Sequence, residues 1–265
     1  MRKYKLLTDN LNVLLKLQRE IIGIKLVYSK EEFKEYSGVE LKKPMAYCVA
    51  VKAATKGHAI KLTRTTGGCA GSNRALGLTA CNTDFMTGIS GCNLGLYKDT
   101  IVAASVACDE PRCEDKTYGV IIKPLDMYEK DPDVVLIFAN TRESMRIMQG
   151  YTFINGLAKY LNMSGNQAVC VEATVAPLKT QDINVSLLCS GTRYRAKWSE
   201  GEVLTGIPFG MVQDIIEGLK GTVNAVEEDH RKQEIEVGLL KTGSLDFEIN
   251  YGKTYYKTWK KEEKQ

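Results

Sequence analysis

Asp131-Pro132-Asp133-Val134-Val135-Leu136-Ile137-Phe138-Ala139-Asn140-Thr141-Arg142 is the stretch that decides how the chain folds. Its centre is an apolar run rich in β-branched residues, of strand length and bounded by turn residues. Asn140 or Thr141 then supplies a side-chain oxygen for the first free N–H groups of a helix. That helix is predicted from Arg142 to about Leu161, with Met145, Met148 and Ile154 among its apolar positions. One strand feeding directly into one helix sets the pattern for the rest.

Working outward, Val120 to Ile122 repeats the β-branched signal, and Ile24 to Tyr28 and His58 to Thr63 read as shorter strands. Ile183 to Leu188 and Glu202 to Ile207 follow downstream. Helical spacing covers Lys5 to Ile22, ended by Gly23, and Met45 to Thr55, stopped by Gly57. Pro208 opens a helix to Leu219, closed by Gly221. Beyond Val226 the chain is highly charged, with one further strand expected from Leu245 to Tyr251. Strands interleaved with helices predict an α/β (or α+β) fold: a mixed, partly parallel sheet flanked by helices. Residues 1–226 read as a single domain and 227–265 as a charged C-terminal extension. There is no internal repeat.

Composition excludes several classes. The 265 residues are 44% hydrophobic and 26% charged, the balance of an ordinary globular protein. The longest apolar runs are strand-sized, so no membrane partner is expected. The basic N-terminus lacks an apolar core of a signal peptide, which predicts a cytoplasmic location. A net charge of +4 is too mild to imply nucleic acid. In a reducing compartment the eight cysteines are thiols or metal ligands rather than disulfides. With only two histidines, a histidine-rich metal site is excluded.

Cys69 is the most pointed of the eight. It stands in Thr66-Gly67-Gly68-Cys69-Ala70-Gly71, a glycine-rich turn feeding a helix, where free backbone N–H groups and the helix dipole favour a thiolate. Arg64 and Arg74 lie nearby in sequence. Cys189 ends a strand and precedes Ser190-Gly191-Thr192-Arg193, at the kind of sheet edge where ligands bind. Cys170, in Ala168-Val169-Cys170-Val171-Glu172-Ala173, and Cys48, in Tyr47-Cys48-Val49-Ala50, read singly as buried core thiols. Together the four are split between the two halves of the chain, which suits a site assembled across a fold. Four thiolates are the complement of a [4Fe–4S] or [2Fe–2S] cluster and of structural zinc. No Cys-x-x-Cys spacing is present. Cys108 and Cys113 form a Cys-x4-Cys that could share a metal with Cys81 or Cys92, and the pair reads first as a solvated loop with two incidental thiols. Asn140 follows the strongest strand, at the usual ligand edge. Tyr255, Tyr256 and Trp259 interleave with lysines in what reads as an ordinary tail.

The motifs Tyr47-Cys48-Val49, Cys69-Ala70-Gly71 with Ala75-Leu76-Gly77-Leu78, Pro132 to Asn140, Met145-Arg146-Ile147-Met148-Gln149, Cys170-Val171-Glu172-Ala173, Cys189-Ser190-Gly191-Thr192-Arg193 and Ile207-Pro208-Phe209 resemble an uncharacterised family. It is domain-of-unknown-function family 169, found largely in anaerobic bacteria and archaea, and the likeness spans most of residues 6 to 221. Cysteines at the positions of Cys48, Cys69, Cys170 and Cys189 recur in it, which implies that these four act together. The expectation is a cytosolic metalloprotein with an iron–sulfur cluster, [4Fe–4S] first and zinc as the alternative, ligated by Cys48, Cys69, Cys170 and Cys189. Its role would be electron transfer or activation of a small substrate. Two other readings stand beside it. One is a non-redox module recognising a small anionic or thiol-reactive ligand through Asn140, Arg146 and Arg193. The other is a thiol enzyme with Cys69 as nucleophile. The expected partners are a small-molecule ligand or a redox partner protein, and a homo-oligomer is compatible with the sequence.

Overall fold

The computed structural model describes residues 2–255. In chain order the elements are α1 (Arg2–Leu15), β1 (Ile22–Val27), α2 (Lys30–Glu35), β2 (Val39–Glu40), α3 (Tyr47–Ala54), β3 (Ile60–Thr63) and α4 (Ala70–Ala75). Three short helices come next, α5 (Thr83–Met86), α6 (Ile89–Asn93) and α7 (Thr100–Asp109). Then follow β4 (Gly119–Pro124), β5 (Val134–Ala139), α8 (Thr141–Asn155), a π-helix (Ala168–Val175) and α9 (Ala176–Thr180). The chain continues through β6 (Asn184–Ser186), α10 (Ser190–Ala196), β7 (Val203–Pro208), α11 (Val212–Val226) and α12 (Asp229–Thr242).

The strands form one seven-stranded sheet in the order β2-β3-β4-β1-β5-β7-β6. It is mixed: β2 and β3 run parallel, and every other neighbouring pair is antiparallel. Ile24 sits opposite Ile122 on one side and Val134 on the other, so the centre of the sheet is the most apolar part of the sequence. All six residues of β5 are buried, as are those of β4. Apolar residues on both strand faces require cover above and below.

Period-two alternation sorts these strands into two cores. Ile121, Val135, Ile137 and Ile207 face a layer built from α1, α8, α11 and α12. Ile122, Val134, Leu136 and Leu204 face the opposite layer, which holds α3, the π-helix and α10. On the first face α8 begins at a complete capping box: Asn140 accepts from the Glu143 N–H at 2.9 Å, and Glu143 accepts from the Asn140 N–H at 3.0 Å. It ends at Gly156 rather than near Leu161.

Two glycines predicted to stop helices do something else. Gly23 lies inside β1, where the Tyr128 ring occupies the space a Cβ would need. α11 runs through Gly221 to Val226, because Gly221 faces the Phe153 ring and Gly218 faces the Gly150 carbonyl of α8. These glycines set interlayer distance rather than helix length. Pro208 closes β7, and α11 starts four residues later.

The charged extension is held against this first face. Ile235 and Leu239 of α12 enter the core beside Leu11 of α1. Lys232 is fully buried, and its Nζ donates to the carbonyls of Asn250 at 2.7 Å and Lys253 at 2.6 Å. Asn224 ties down residues 248–250 through two further hydrogen bonds. Leu245 to Tyr251 forms no strand; the side chains of Asn224 and Lys232 take up the Glu248 and Asn250 carbonyls and the Asn250 N–H. Tyr256 and Trp259 lie outside the described residues.

Candidate functional site

The second face of the sheet carries a pocket, and its geometry starts with the turn before α4. Gly68 N–H donates to the Met45 carbonyl at 2.8 Å, and the Met45 N–H donates to Thr66 at 2.9 Å. A Cβ on Gly68 would come within 2.8 Å of the Met45 carbonyl carbon, so this latch needs glycine. It holds Cys69, at the N-terminal boundary of α4, beside the start of α3, where Cys48 is the second residue. Asn73 completes the turn by donating to the Gly67 carbonyl at 2.8 Å.

The third and fourth cysteines arrive from the C-terminal half. Cys170 lies in the π-helix, whose widened turn is seen where the Glu172 N–H reaches back to the Gln167 carbonyl. A π-helical turn is uncommon and recurs at functional sites. Tyr47, fully buried, fixes this segment to α3 through its hydroxyl, 2.9 Å from Thr174 Oγ1. Cys189 caps α10: its Sγ accepts the Thr192 N–H at 3.2 Å and lies 2.9 Å from Thr192 Oγ1. The chain reaches that cap through Leu188, a non-glycine residue in the left-handed region at φ 67°. Such conformations cost energy and persist where the surroundings impose them. Here Leu188 is buried, and its N–H is bound by Ser186.

Cys48, Cys69, Cys170 and Cys189 thus line one pocket of about 320 Å³. Leu94 and Leu96, from the turn between α6 and α7, form part of its wall and are well exposed. Asn166, Gln167 and Arg195 also face it, and Arg195 is the single charged residue among those lining it. Gly71 and Gly191 keep space beside two of the sulfurs: a Cβ on either would stand 3.9 Å from Cys69 Sγ or Cys189 Sγ respectively.

The thiols feel one another. Burial pushes Cys48 up to about 11, with the charges of Cys189 and Cys69 adding to it, while Thr192 and Arg195 act in the opposite sense. Cys170 is pushed well above its ordinary value, by burial first and then by Cys69, Cys189 and Cys48. At neutral pH Cys48 and Cys170 are therefore protonated in the free protein. A soft cationic centre reverses that balance, since thiolate ligands exchange protons for metal. Among the described residues, no group of three or more His, Cys, Asp or Glu side chains is gathered into a ready site for a single metal ion.

The other residues singled out from sequence stand elsewhere. Asn140 caps α8 and borders a separate pocket with Gln18, Arg19 and Glu143. Arg146 is buried on the first face, where its Nε donates to Glu227 at 2.7 Å. Burial lowers its pKa, and Glu227 acts against that. Arg193 donates to the carbonyls of Leu187, Ser199 and Glu202, fastening the turn around α10. Cys92 and Cys108 lie in α6 and α7 and Cys81 just before α5, while Cys113 packs against the second core.

Sequence pattern alone does not single out Thr192, Gln167 or Arg195. A signal for two of them exists: with Cys189 as the cap, Thr192 and Arg195 fall three and six residues on, along one face of α10. Gln167, Leu94 and Leu96 reach the pocket only through tertiary packing.

The four-cysteine arrangement falls inside the segment that comparison with known proteins covers. The model of DUF169, described as Uncharacterised ArCR, matches residues 10–218. The chain belongs to this family. An uncharacterised protein of Methanocaldococcus jannaschii is 27% identical over 211 residues, which is 78% of this chain and 89% of that one. No solved structure matches. Among the described residues no helix is long and apolar enough to cross a membrane. The DUF169 match ends within α11, so α12 and the segment after it lie beyond the family model.

Proposed function

We propose that this DUF169 protein holds an iron–sulfur cluster through Cys48, Cys69, Cys170 and Cys189, and uses it to activate a small substrate. The observation that carries the reading is that these four cysteines, remote in sequence, line one pocket. A pocket of about 320 Å³ is roughly ten times the ~30 Å³ share of one water molecule. Four thiols spread around such a volume suit a multi-atom centre better than one zinc ion, whose four sulfurs must all lie at about 2.3 Å. The wall beyond the thiols, formed by Leu94, Leu96 and Arg195, favours substrate activation over electron transfer alone.

The chain's own residues supply the rest. Thr192 holds Cys189 through both its hydroxyl and its N–H, and it favours the thiolate form of Cys48. Hydrogen bonds to ligand sulfur and burial set the potential of such a centre. With all four cysteines as ligands, a bound cluster would supply reversible one-electron chemistry to a substrate held beside it. The glycines at 71 and 191 leave it room.

Protein purified without oxygen is expected to be brown, with iron and acid-labile sulfide in matching amounts and a broad visible absorbance bleached by air. Serine at any of the four positions should reduce iron, while serine at Cys81, Cys92 or Cys108 should not. Colourless protein that takes up no iron on anaerobic reconstitution overturns the proposal. Stoichiometric zinc in its place makes the site structural.

A further inference from the structure

The cysteine pocket has a second set of residues that the ligation of a cluster leaves unused. Arg195 is exposed at its edge, and its guanidinium makes no hydrogen bond or ion pair to any described residue, although it acts electrostatically on Cys48. No carboxylate lines the pocket to neutralise it. This sets Arg195 apart from its neighbour on α10, Arg193, whose guanidinium is consumed by backbone carbonyls. It also differs from Arg19, Arg64, Arg142, Arg146 and Arg231, each paired with an acidic side chain.

A guanidinium offers a planar fork of donors that matches carboxylate geometry. Its position on α10 is set by helical spacing: Thr192, three residues earlier, is buried against Cys189, so Arg195 is carried to the same side. Leu94 and Leu96 face the same pocket and are 73% and 49% exposed. Side chains of that size left open to water beside a concave site present apolar surface for a ligand to cover. Gly95 between them takes a left-handed φ of 69°, the tight turn that lets both leucines flank the opening. Asn166 and Gln167 add neutral amide groups to the wall. One cation among neutral amides favours an anion over a neutral molecule, and the apolar pair favours an anion with a short hydrocarbon body over a bare inorganic one.

We propose that the open side of the cysteine pocket binds a small aliphatic monocarboxylate, its charge held by Arg195 and its chain lying against Leu94 and Leu96. The inference deepens the iron–sulfur reading, since the carboxylate would share the pocket with the cluster. It names the class of ligand that the pocket would hold beside the centre.

Calorimetric titration of iron-loaded full-length protein with acetate, butyrate, 1-butanol and inorganic phosphate tests it, with iron measured in every sample. Butyrate is expected to bind more tightly than acetate, and about tenfold or more tightly than butanol or phosphate. Arg195→Gln should weaken butyrate about tenfold or more, because a charge-assisted pair is lost. Iron is measured in the same variant, so that affinity is compared per iron-loaded molecule. Leu94→Asn should remove the advantage of butyrate over acetate. If Arg195→Gln binds butyrate as well as the parent, or phosphate or butanol binds as well as butyrate, the proposal is overturned. It is equally overturned if none of the four gives heat. Protein that never takes up iron yet binds butyrate in an Arg195-dependent way supports the carboxylate site and removes the cluster.

Discussion

The two faces of the sheet are each covered by helices but are built on opposite rules. On the first face, α8 and α11 are long helices in backbone contact at Gly150 and Gly218, and α12 closes over α1 with a buried lysine satisfied by carbonyls. On the second face the helices are short: α4 has six residues, α10 has seven, and the segment carrying Cys170 is a π-helix. The first face gains stability from close packing. The second leaves a pocket, a strained Leu188 and unpaired thiols. Stored strain and incomplete packing are tolerable there because the opposite layer is closely packed.

The largest effect expected from this division is on the first face. Arg146 and Glu227 form a buried pair, 3% and 1% exposed at the side chain, with Arg142 as a second partner of the carboxylate. Glu227→Ala leaves the Arg146 charge uncompensated, which typically costs about 3–5 kcal/mol. Urea unfolding of the reduced protein measures it. A loss below about 1 kcal/mol would show that the extension does not brace this face.

Gly218→Ala comes next. The added methyl would run into the Gly150 carbonyl, so α8 and α11 must separate. Overpacking of this kind costs about 1–3 kcal/mol. The contrast sharpens if Gly191→Ala, on the second face, is nearly neutral for stability. Its Cβ would meet nothing nearer than Cys189 Sγ at 3.9 Å. An equal loss at both positions would dissolve the distinction between a packed and an open face.

Much of this contrast was legible in the sequence, and the exceptions share a cause. Runs such as Val134 to Ala139 announce buried strands by local pattern, and the Asn140–Glu143 cap announces its helix in the same way. Glycine is ambiguous: Gly23 and Gly221 look like punctuation but each makes room for a ring arriving from another element. The grouping of the four cysteines rested on a resemblance to the family and not on their spacing. Their shared pocket depends on the Met45–Gly68 latch and the Leu188 turn, which no periodicity records. Arg193 and Arg195 look interchangeable in sequence. Only the carbonyls around α10 decide that one is structural and the other faces the pocket.

A smaller effect on stability is expected from the thiols themselves. Cys48→Ala and Cys69→Ala remove half-buried side chains beside an existing pocket, so each should cost about 1 kcal/mol or less. Iron content should nevertheless fall sharply. A variant that loses iron only in proportion to its loss of folded protein would mean that the sulfur is packing material and not a ligand.

The smallest effect is a slope with pH, and its sign is fixed by Cys48. In the metal-free fold its pKa lies near 11, raised chiefly by burial and then by the charges of Cys189 and Cys69. The unfolded thiol ionises earlier, near 8.5. Below that value both states carry the proton, and the contribution of Cys48 to stability is constant. As pH rises toward 11, the unfolded chain loses its proton while the folded one keeps it, so the unfolded state is favoured and stability falls. Cys170, raised further, extends the decline in the same direction. Lysines and tyrosines also titrate in this range, so the informative quantity is the difference between the parent and Cys48→Ala. Urea midpoints of the reduced, metal-free proteins at about pH 8 and pH 10.5 should show a steeper loss for the parent. Parallel slopes would place Cys48 in water rather than among the other thiols, and the second face would then hold no coupled cluster for a metal centre to stabilise.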